Sequence, residues 1–363
     1  MTRQYKINIL KRGDVRPEGN DIFSFNAWPT VGKLKDGTIM VTYSGLRTRH
    51  IDPFGTILGC YSRDEGETWT NPVILTNTAL DDRDGGLYVL KNGSVFVTSV
   101  SNTIAFQRSV ADYYDRTKEE TAFYNAYLDM LNVEKDEKTL YPKFVYSKDG
   151  YVFDKKLYEM PVATPHGPFS DKDDNLYICG TIYENGLQQK DLALYKINKD
   201  FTFEKIYHFE GCVNEWNLYE PFGVFLEDGS IVIYFRAQKI EIDDCGKQMK
   251  VLKTISHDGG KTFSPIEESG IAGGPPHIMK TSSGLYIFSY GYRNEPFGQM
   301  VAISEDGITW SEGFNLDGNS AIFDLGYPST IELSDNKFMT VYYQTNNKYN
   351  KQGIKYTIWE INH

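Results

Sequence analysis

The sequence predicts an all-β protein, a six-bladed β-propeller with a helical insertion in the second blade. The first observation behind this prediction is a tight polar turn followed at once by an alternating strand, which occurs six times. Asp-Gly and Asn-Gly pairs provide the positive φ angles that two-residue hairpins require. The second observation is the spacing of these turns, which are separated by 56, 82, 54, 55 and 52 residues. The turn positions are Asp36, Asn92, Asp174, Asp228, Ser283 and Asp335.

Each regular unit is long enough for about four short strands, which is the content of one propeller blade. Six such blades predict a single domain that spans residues 1–363. The segment YKINIL near the start of the chain is expected to pair beside IKYTIWEI near its end and so to close the ring. A solenoid is the competing arrangement, but solenoid repeats are usually shorter.

The second unit is longer than the others, and its extra length lies at about residues 102–141. This stretch has apolar residues at helical spacing, at Phe123, Tyr127 and Leu131, and its central part contains no glycine or proline. We therefore predict a helical insertion on a loop. It could cover the functional site or form an ordinary surface helix.

A second motif recurs as SRDEGETW at Ser62, SHDGGKTF at Ser256, SEDGITW at Ser304 and SKDGYVF at Ser147. In such a turn an aspartate accepts hydrogen bonds from backbone amides, Ser and Thr assist, and the aromatic residue packs between sheets. The motif resembles the Asp-box, or BNR repeat, of the sialidase (neuraminidase) superfamily of propellers. The resemblance extends over essentially the whole chain and implies a glycoside hydrolase.

Composition and charge restrict the partners. A formal charge of −11 and a pI near 5.1 argue against nucleic acid, because phosphate binding requires a basic surface. No apolar segment approaches the length of about 18 residues that spans a membrane, and the first residues do not form a signal peptide. We therefore expect a cytoplasmic protein, or a secreted one if a signal has been trimmed.

The scattered cysteines indicate free thiols, and we expect no metal and no cofactor. These cysteines are Cys60, Cys179, Cys212 and Cys245.

The candidate site residues come from the segments just before the six turn–strand units, since the inner strand of each blade begins near the central axis. These segments should surround one pocket. They contribute Arg83, Asp84, His166, Glu220, His277 and Tyr327. The ends of the following strands add Arg47, Arg49, His50, Asp52, Arg236 and Arg293.

The resemblance to sialidases implies roles for five of these residues. Tyr327 in LGYPST matches the nucleophilic tyrosine, and Glu220 matches the glutamate that takes its proton. Asp52 lies where the family keeps its acid/base, a role that requires a raised pKa. Arg236 and Arg293 match two of the three arginines that hold the carboxylate of the substrate.

The first of those three arginines has no match. Sialidases carry it in an Arg-Ile-Pro segment, where this chain has Ala27-Trp28-Pro29. Arg47, Arg49 or Arg83 could supply the missing positive charge from another part of the ring.

These observations favour an exo-acting, retaining glycosidase that removes a terminal α-linked acidic sugar from a glycan. Two alternatives remain open. One is a glycosidase of the same fold that acts on a uronic acid with histidine chemistry, in which His50, His166 or His277 takes part. The other is a non-catalytic propeller that only binds glycans.

Overall fold

The computed structural model describes residues 5–113, 116–184, 187–240, 248–347 and 351–362. Six antiparallel sheets form a ring, and only about 8% of the chain is helical, so the predicted six-bladed β-propeller is confirmed. Within these residues no helix has both the length and the apolar character needed to cross a membrane.

The first half of the chain supplies one outer strand, β1 Lys6–Arg16, and blades 1 to 3. Blade 1 contains β2 Phe25–Lys33, β3 Ile39–Arg47, β4 Thr56–Ser62 and β5 Val73–Thr76. Blade 2 contains β6 Asp81–Arg83, β7 Leu87–Val89, β8 Val95–Asn102, β9 Lys143–Ser147 and β10 Tyr158–Glu159. Blade 3 contains β11 Val162–Ala163, β12 Phe169–Ser170, β13 Leu176–Glu184, β14 Leu187–Ile197 and β15 Phe203–Phe209.

The second half supplies blades 4 to 6. Blade 4 contains β16 Cys212–Val213, β17 Trp216–Phe225, β18 Ile231–Lys239, β19 Lys250–Ser256 and β20 Glu267–Glu268. Blade 5 contains β21 His277–Lys280, β22 Tyr286–Tyr292, β23 Gly298–Ser304 and β24 Phe314–Asp317. Blade 6 contains β25 Gly326–Ser334, β26 Lys337–Gln344 and β27 Gly353–Asn362. Strands β2, β7, β12, β17, β21 and β25 contact one another around the central axis.

The ring closes as the sequence predicts. Strand β1 pairs antiparallel with β27, from Lys6 opposite Asn362 to Arg16 opposite Ile354, so that the first strand of the chain completes the last blade. Apolar side chains of blades 5 and 6 then pack together around Trp359, which has no exposed surface. Burial of apolar area between blades is the main force that holds such a ring.

The insertion in blade 2 is helical, as predicted. It contains α1 Ile104–Ser109, α2 Lys118–Met130, α3 Val133–Asp136 and a 3₁₀ turn at Glu137–Thr139. Thr117 and Glu120 form a reciprocal capping box that starts α2. Tyr124 and Leu128 of α2 are buried, whereas Phe123 stacks on Phe54 of blade 1 with ring centroids 5.1 Å apart.

The recurrent Ser-x-Asp turn has the bonding expected from the sequence. Asp64 accepts hydrogen bonds from the Thr68 amide at 2.9 Å and the Thr68 hydroxyl at 2.6 Å. Trp69 lies 6.1 Å from the ring of Tyr356 in the neighbouring blade 6. Of the cysteines, Cys60 and Cys179 are buried free thiols, Cys212 is an exposed free thiol, and Cys245 lies outside the described residues.

We expect Trp359→Ala to lower the free energy of unfolding by about 3–5 kcal/mol, because it leaves a cavity between blades 5 and 6. Chemical denaturation measures this change. Val152→Ala is the matched control, since Val152 is 75% exposed and its truncation should change stability by less than about 0.5 kcal/mol. Equal midpoints for both variants would contradict this account of ring closure.

Candidate active site

Four blades turn one residue of their innermost segment towards the central axis in the same way. Trp28, Asp84, Glu220 and Tyr327 all have positive φ angles, of 54°, 60°, 42° and 49°. Each lies eight residues before the turn position of its blade. In β2, β17 and β25 the strand pairing is interrupted at this residue. The interruption is a local bulge, which re-aims a side chain without ending the strand.

Tyr327, Glu220 and Arg236 form one hydrogen-bonded cluster. The Tyr327 hydroxyl donates to Oε1 of Glu220 at 2.5 Å, and Nη1 of Arg236 donates to Oε2 of Glu220 at 2.6 Å. Nη1 of Arg236 also lies 3.3 Å from the Tyr327 hydroxyl. Burial, with the nearby charge of Glu220, raises the pKa of Tyr327 well above its usual value. The free protein therefore holds a neutral tyrosine beside a carboxylate that can accept its proton.

Arg293 belongs to a second hydrogen-bonded group. Its Nε and Nη2 donate to the carbonyl oxygen of Leu325 at 3.1 and 3.0 Å, and Nη2 lies 3.4 Å from the Tyr343 hydroxyl. Tyr343 donates in turn to Oδ1 of Asp324 at 2.6 Å. Although burial opposes it, the interaction with the His50 side chain, which includes a hydrogen bond, and the charge of Arg293 hold the pKa of Asp324 below its usual range. Asp324 is therefore ionised.

His50 connects that group to Arg83. Its Nδ1 lies 3.1 Å from Oδ2 of Asp324, and its Nε2 lies 3.4 Å from Nη2 of Arg83. Burial lowers the pKa of His50 against the opposing effect of the Asp324 carboxylate, and the adjacent Arg83 charge acts in the same direction as burial. The ring is thus neutral near pH 7, with Nδ1 as the donor to Asp324.

Two cations lie over the ring of Trp28. The guanidinium carbon of Arg83 is 4.1 Å from the ring centroid and that of Arg47 is 4.7 Å away. Arg47 is completely buried and forms an ion pair with Asp81 at 2.6 Å. The Arg83 side chain is 13% exposed. Of the two cations on this side of the pocket, only Arg83 retains an accessible surface.

Asp52 and Arg49 lie beneath the insertion rather than on the exposed wall. The Asp52 side chain has no accessible surface, and Nη2 of Arg116 lies 3.7 Å from its Oδ2. The amides of Thr48 and Phe54 donate to the same carboxylate at 3.1 and 3.0 Å. Burial raises the pKa of Asp52.

Arg49 is held by the same insertion. Its Nη2 forms an ion pair with Glu120 of α2 at 3.0 Å, and its Nη1 donates to the carbonyl oxygen of Thr48 at 2.7 Å. The loop after β3 therefore directs Asp52 and Arg49 towards the helices. The roles in acid/base catalysis and substrate binding that the sequence assigns to these two residues stay predictions.

Asp84 is the least constrained carboxyl group in the pocket. Its side chain is 19% exposed, and its nearest charged partner is Nε of Arg83 at 4.0 Å. No donor within the described parts of the chain is hydrogen-bonded to this carboxylate. Burial raises the pKa of Asp84 to about 6, with the Arg83 charge opposing this shift and the Glu220 charge adding to it.

His166 and His277 lie deeper along the axis, behind Tyr327. Their ring centroids are 5.2 Å apart, and the His166 ring is 6.1 Å from that of Tyr327. Burial lowers both pKa values, that of His277 to about 3, so the rings are neutral. Both residues line a cavity of about 690 Å³ that extends towards the opposite end of the inner strands, away from Glu220. Their predicted role in substrate binding stays a prediction.

Sequence reasoning missed three contributors to the pocket. Asp324 and Tyr343 connect His50 to Arg293, and Trp28 provides the aromatic surface below Arg83. Trp28 could have been found from its place eight residues before Asp36, which matches the spacing of Glu220 and Tyr327 from their own turns. Nothing in the spacing of Asp324 or Tyr343 indicates their role.

No protein-family model and no curated protein matches the sequence. A protein of unknown function from Dyadobacter fermentans is similar in structure, with a TM-score of 0.76 and 20% identity over 98% of this chain and 99% of that one. A sialidase from Streptococcus pneumoniae matches with a TM-score of 0.62 and 13% identity, over 99% of this chain and 71% of its own.

An α-L-arabinofuranosidase from Fusarium graminearum matches with a TM-score of 0.59 and 15% identity, over 94% of this chain and 97% of its own. At these identities the likeness shows the fold alone. That fold is the propeller of sialidases and related glycosidases.

We expect Arg116→Ala to destabilise the protein by about 3–5 kcal/mol, because it removes the cation that lies 3.7 Å from the buried Asp52 carboxyl and the hydrogen bonds from that cation to the carbonyl oxygens of Ala111 and Ile51. The free energy of unfolding at pH 7 measures this. Arg108→Ala is the matched control in the same insertion, since Arg108 pairs with Asp129 at the surface and should contribute less than about 1 kcal/mol. If both substitutions have the same small effect, Asp52 does not depend on Arg116.

Asp84→Asn should stabilise the protein above pH 6 and leave its stability unchanged near pH 4. The folded-state pKa of Asp84 is raised from 3.8 to about 6, so ionisation disfavours the folded state as the pH rises through this interval. The gain at pH 7.5 should be about 2–3 kcal/mol, since each pKa unit corresponds to about 1.4 kcal/mol. Unfolding at both pH values tests this, with the exposed Asp129→Asn as control. A gain that is independent of pH would contradict the raised pKa.

Proposed function

We propose that this protein is a retaining, exo-acting glycoside hydrolase that removes a terminal α-linked acidic sugar, sialic acid or a related one, from a glycan. The observation that carries the proposal is the hydrogen bond of 2.5 Å between the Tyr327 hydroxyl and Glu220, with Arg236 bound to both residues. A packing tyrosine needs no carboxylate partner held in place by an arginine. The arrangement suits a nucleophile and its base.

The chemistry follows from these two groups. The Tyr327 oxygen attacks the anomeric carbon while its proton passes to Glu220, and the bond to the leaving oxygen breaks as that oxygen receives a proton from an acid. Water then attacks the same carbon and gives a proton to the conjugate base of that acid, the bond to Tyr327 breaks, and Glu220 returns its proton to the phenolate oxygen. Two displacements at one carbon retain its configuration. A neutral phenol approaches a sugar that carries a carboxylate at the reacting carbon without the repulsion that a carboxylate nucleophile would meet.

The positive charges around this pair support an acidic substrate. Arg236 and Arg83 are both partly exposed, and Arg293 contacts the Tyr343 hydroxyl and is close enough for its charge to act on Tyr327. Arginine is suited to carboxylates because its donors form two parallel hydrogen bonds. In this proposal Arg83, above Trp28, provides the charge that the sequence lacks at Ala27.

A uronic acid is the second candidate substrate. The observation that favours it is the His50–Asp324 pair, in which the His50 side chain is 28% exposed and oriented by a buried carboxylate. Such a pair is a common form of general acid/base. The likeness to a sialidase and to an arabinofuranosidase fits either sugar, because it concerns the fold alone.

We expect Tyr327→Phe to lower kcat/KM by several orders of magnitude, because the covalent nucleophile is lost. A binding hydroxyl would contribute only about tenfold, or roughly 1 kcal/mol. Hydrolysis of fluorogenic sialosides and uronides measures the effect. Tyr342→Phe is the matched control, since that buried hydroxyl binds Asp317 of blade 5 and Thr357 of blade 6.

The control should keep its activity while losing some stability. If Tyr327→Phe stays within tenfold of the unmodified protein while His50→Ala abolishes turnover, the tyrosine mechanism is wrong and the histidine alternative is favoured. If the unmodified protein hydrolyses none of the substrates yet binds the corresponding glycans, the propeller is a binding protein.

A further inference from the structure

The hydrolysis just described requires a group that gives a proton to the leaving oxygen and later takes one from water. The side chain of such a group must be accessible from the pocket, and it must be able to gain and lose a proton without disrupting the contacts that hold it in the fold. Three side chains compete for this role. They are Asp52, His50 and Asp84.

Asp52 has no accessible surface, and its carboxylate accepts hydrogen bonds from two backbone amides and from the Thr48 hydroxyl, and faces Arg116. A carboxylate that satisfies this many donors is a structural anchor for the loop after β3. To meet a substrate it would have to leave the insertion and expose the Arg116 charge. Asp52 therefore stabilises this loop and does not face the substrate.

His50 reaches the pocket, but both of its ring nitrogens are engaged. Nδ1 faces Asp324 at 3.1 Å, and Nε2 faces the Arg83 guanidinium at 3.4 Å. A proton on Nε2 would point at a positive charge, so the charged ring that acid catalysis needs is disfavoured.

Asp84 satisfies both requirements. It lies between β6 and β7 of blade 2, eight residues before the turn of its blade, as Glu220 and Tyr327 do in blades 4 and 6, and it has the same left-handed backbone. Its carboxyl group is partly exposed, receives no hydrogen bond from the described residues, and has only Arg83 at 4.0 Å as an ionic partner.

The backbone around Asp84 is fixed from both sides. The Thr42 hydroxyl donates to the Gly85 carbonyl oxygen at 2.6 Å, and the Thr98 amide donates to that of Gly86 at 2.8 Å. A Cβ atom on Gly86 would lie 2.4 Å from the Gly167 amide nitrogen in blade 3. The two glycines therefore let blade 2 pack tightly against its neighbours and hold Asp84 at the axis.

We propose that Asp84 is the general acid/base of the reaction, an assignment that rests on the proposed glycosidase function. In the first step Asp84 gives its proton to the leaving oxygen as the Tyr327 oxygen bonds to the anomeric carbon and Glu220 takes the phenol proton. In the second step the Asp84 carboxylate removes a proton from the attacking water, and Glu220 returns its proton to Tyr327. At the end of the cycle Asp84 is again protonated and Glu220 is again ionised.

The electrostatics of the pocket agree with this assignment. Burial, together with the charge of Glu220, raises the pKa of Asp84 to about 6 against the opposing charge of Arg83. The two carboxyl groups therefore have different roles, because Glu220 is hydrogen-bonded to Arg236 and Tyr327, whereas Asp84 receives no hydrogen bond from the described part of the chain.

The test compares two leaving groups on one sugar. The substrates are 4-methylumbelliferyl α-N-acetylneuraminide and sialyllactose, or the matched aryl and glycan-linked uronides if those are cleaved faster. Asp84→Asn should lose about 10²–10⁴-fold in kcat/KM on the glycan-linked sugar, and less than about tenfold on the aryl glycoside, whose leaving group needs little protonation.

Azide is a nucleophile that needs no general base. Added azide should therefore increase the turnover of Asp84→Asn and not that of the unmodified protein. Asparagine tolerates the left-handed backbone, so the variant should fold.

Asp52→Asn and His50→Gln are the controls, and each should change both substrates by the same factor. The pH profile adds a second readout, since activity on the glycan-linked sugar should fall as the pH rises through about 6, the pKa of Asp84. A selective loss on the glycan-linked substrate in Asp52→Asn or His50→Gln, with none in Asp84→Asn, would overturn the assignment. If the unmodified protein cleaves neither pair, the glycosidase proposal fails and the role of Asp84 fails with it.

Discussion

The innermost strands of this propeller must stay in the ring and still present side chains to its axis, and the left-handed bulge satisfies both demands. Tyr327 and Glu220 are 107 residues apart in the chain, yet their side chains meet because each leaves its strand at the same point of its blade. A left-handed backbone at a residue other than glycine is strained by about 1–3 kcal/mol and persists only where the surrounding structure enforces it. In β17 and β25 regular strand pairing is present both before and after the bulge, and this pairing holds the strained residue in place.

The charges around the axis are arranged in groups that each contain a carboxylate and a cation. Glu220 pairs with Arg236, and Asp324 lies between His50 and the Tyr343–Arg293 contact. Buried ions are tolerated when they are paired and hydrogen-bonded. Among the residues that the structure describes, the pocket therefore combines a rigid wall of paired charges with one weakly paired carboxyl group, that of Asp84.

The sequence predicts the architecture well because the relevant signals are local. A turn pair and an alternating strand lie within ten residues of one another, and their repetition gives the number of blades. The contact between Tyr327 and Glu220 is also predictable, since both residues hold the same position in their units. The burial of Asp52 beneath the insertion cannot be predicted in this way. It depends on Arg116, which lies 64 residues further along the chain in an insertion that the other blades lack. His166 and His277 raise the same difficulty, since depth along the axis leaves no trace in the spacing of residues.

The most direct measurement identifies the residue that carries the sugar during turnover. The protein is incubated with 2,3-difluorosialic acid, or with the corresponding fluorinated uronosyl fluoride if uronides are cleaved faster, and is then digested for peptide mass spectrometry. A sugar bonded to the Tyr327 side chain is the result that this account predicts. A label on Glu220 or His50, or no label together with inversion at the anomeric carbon of the natural product, would contradict it.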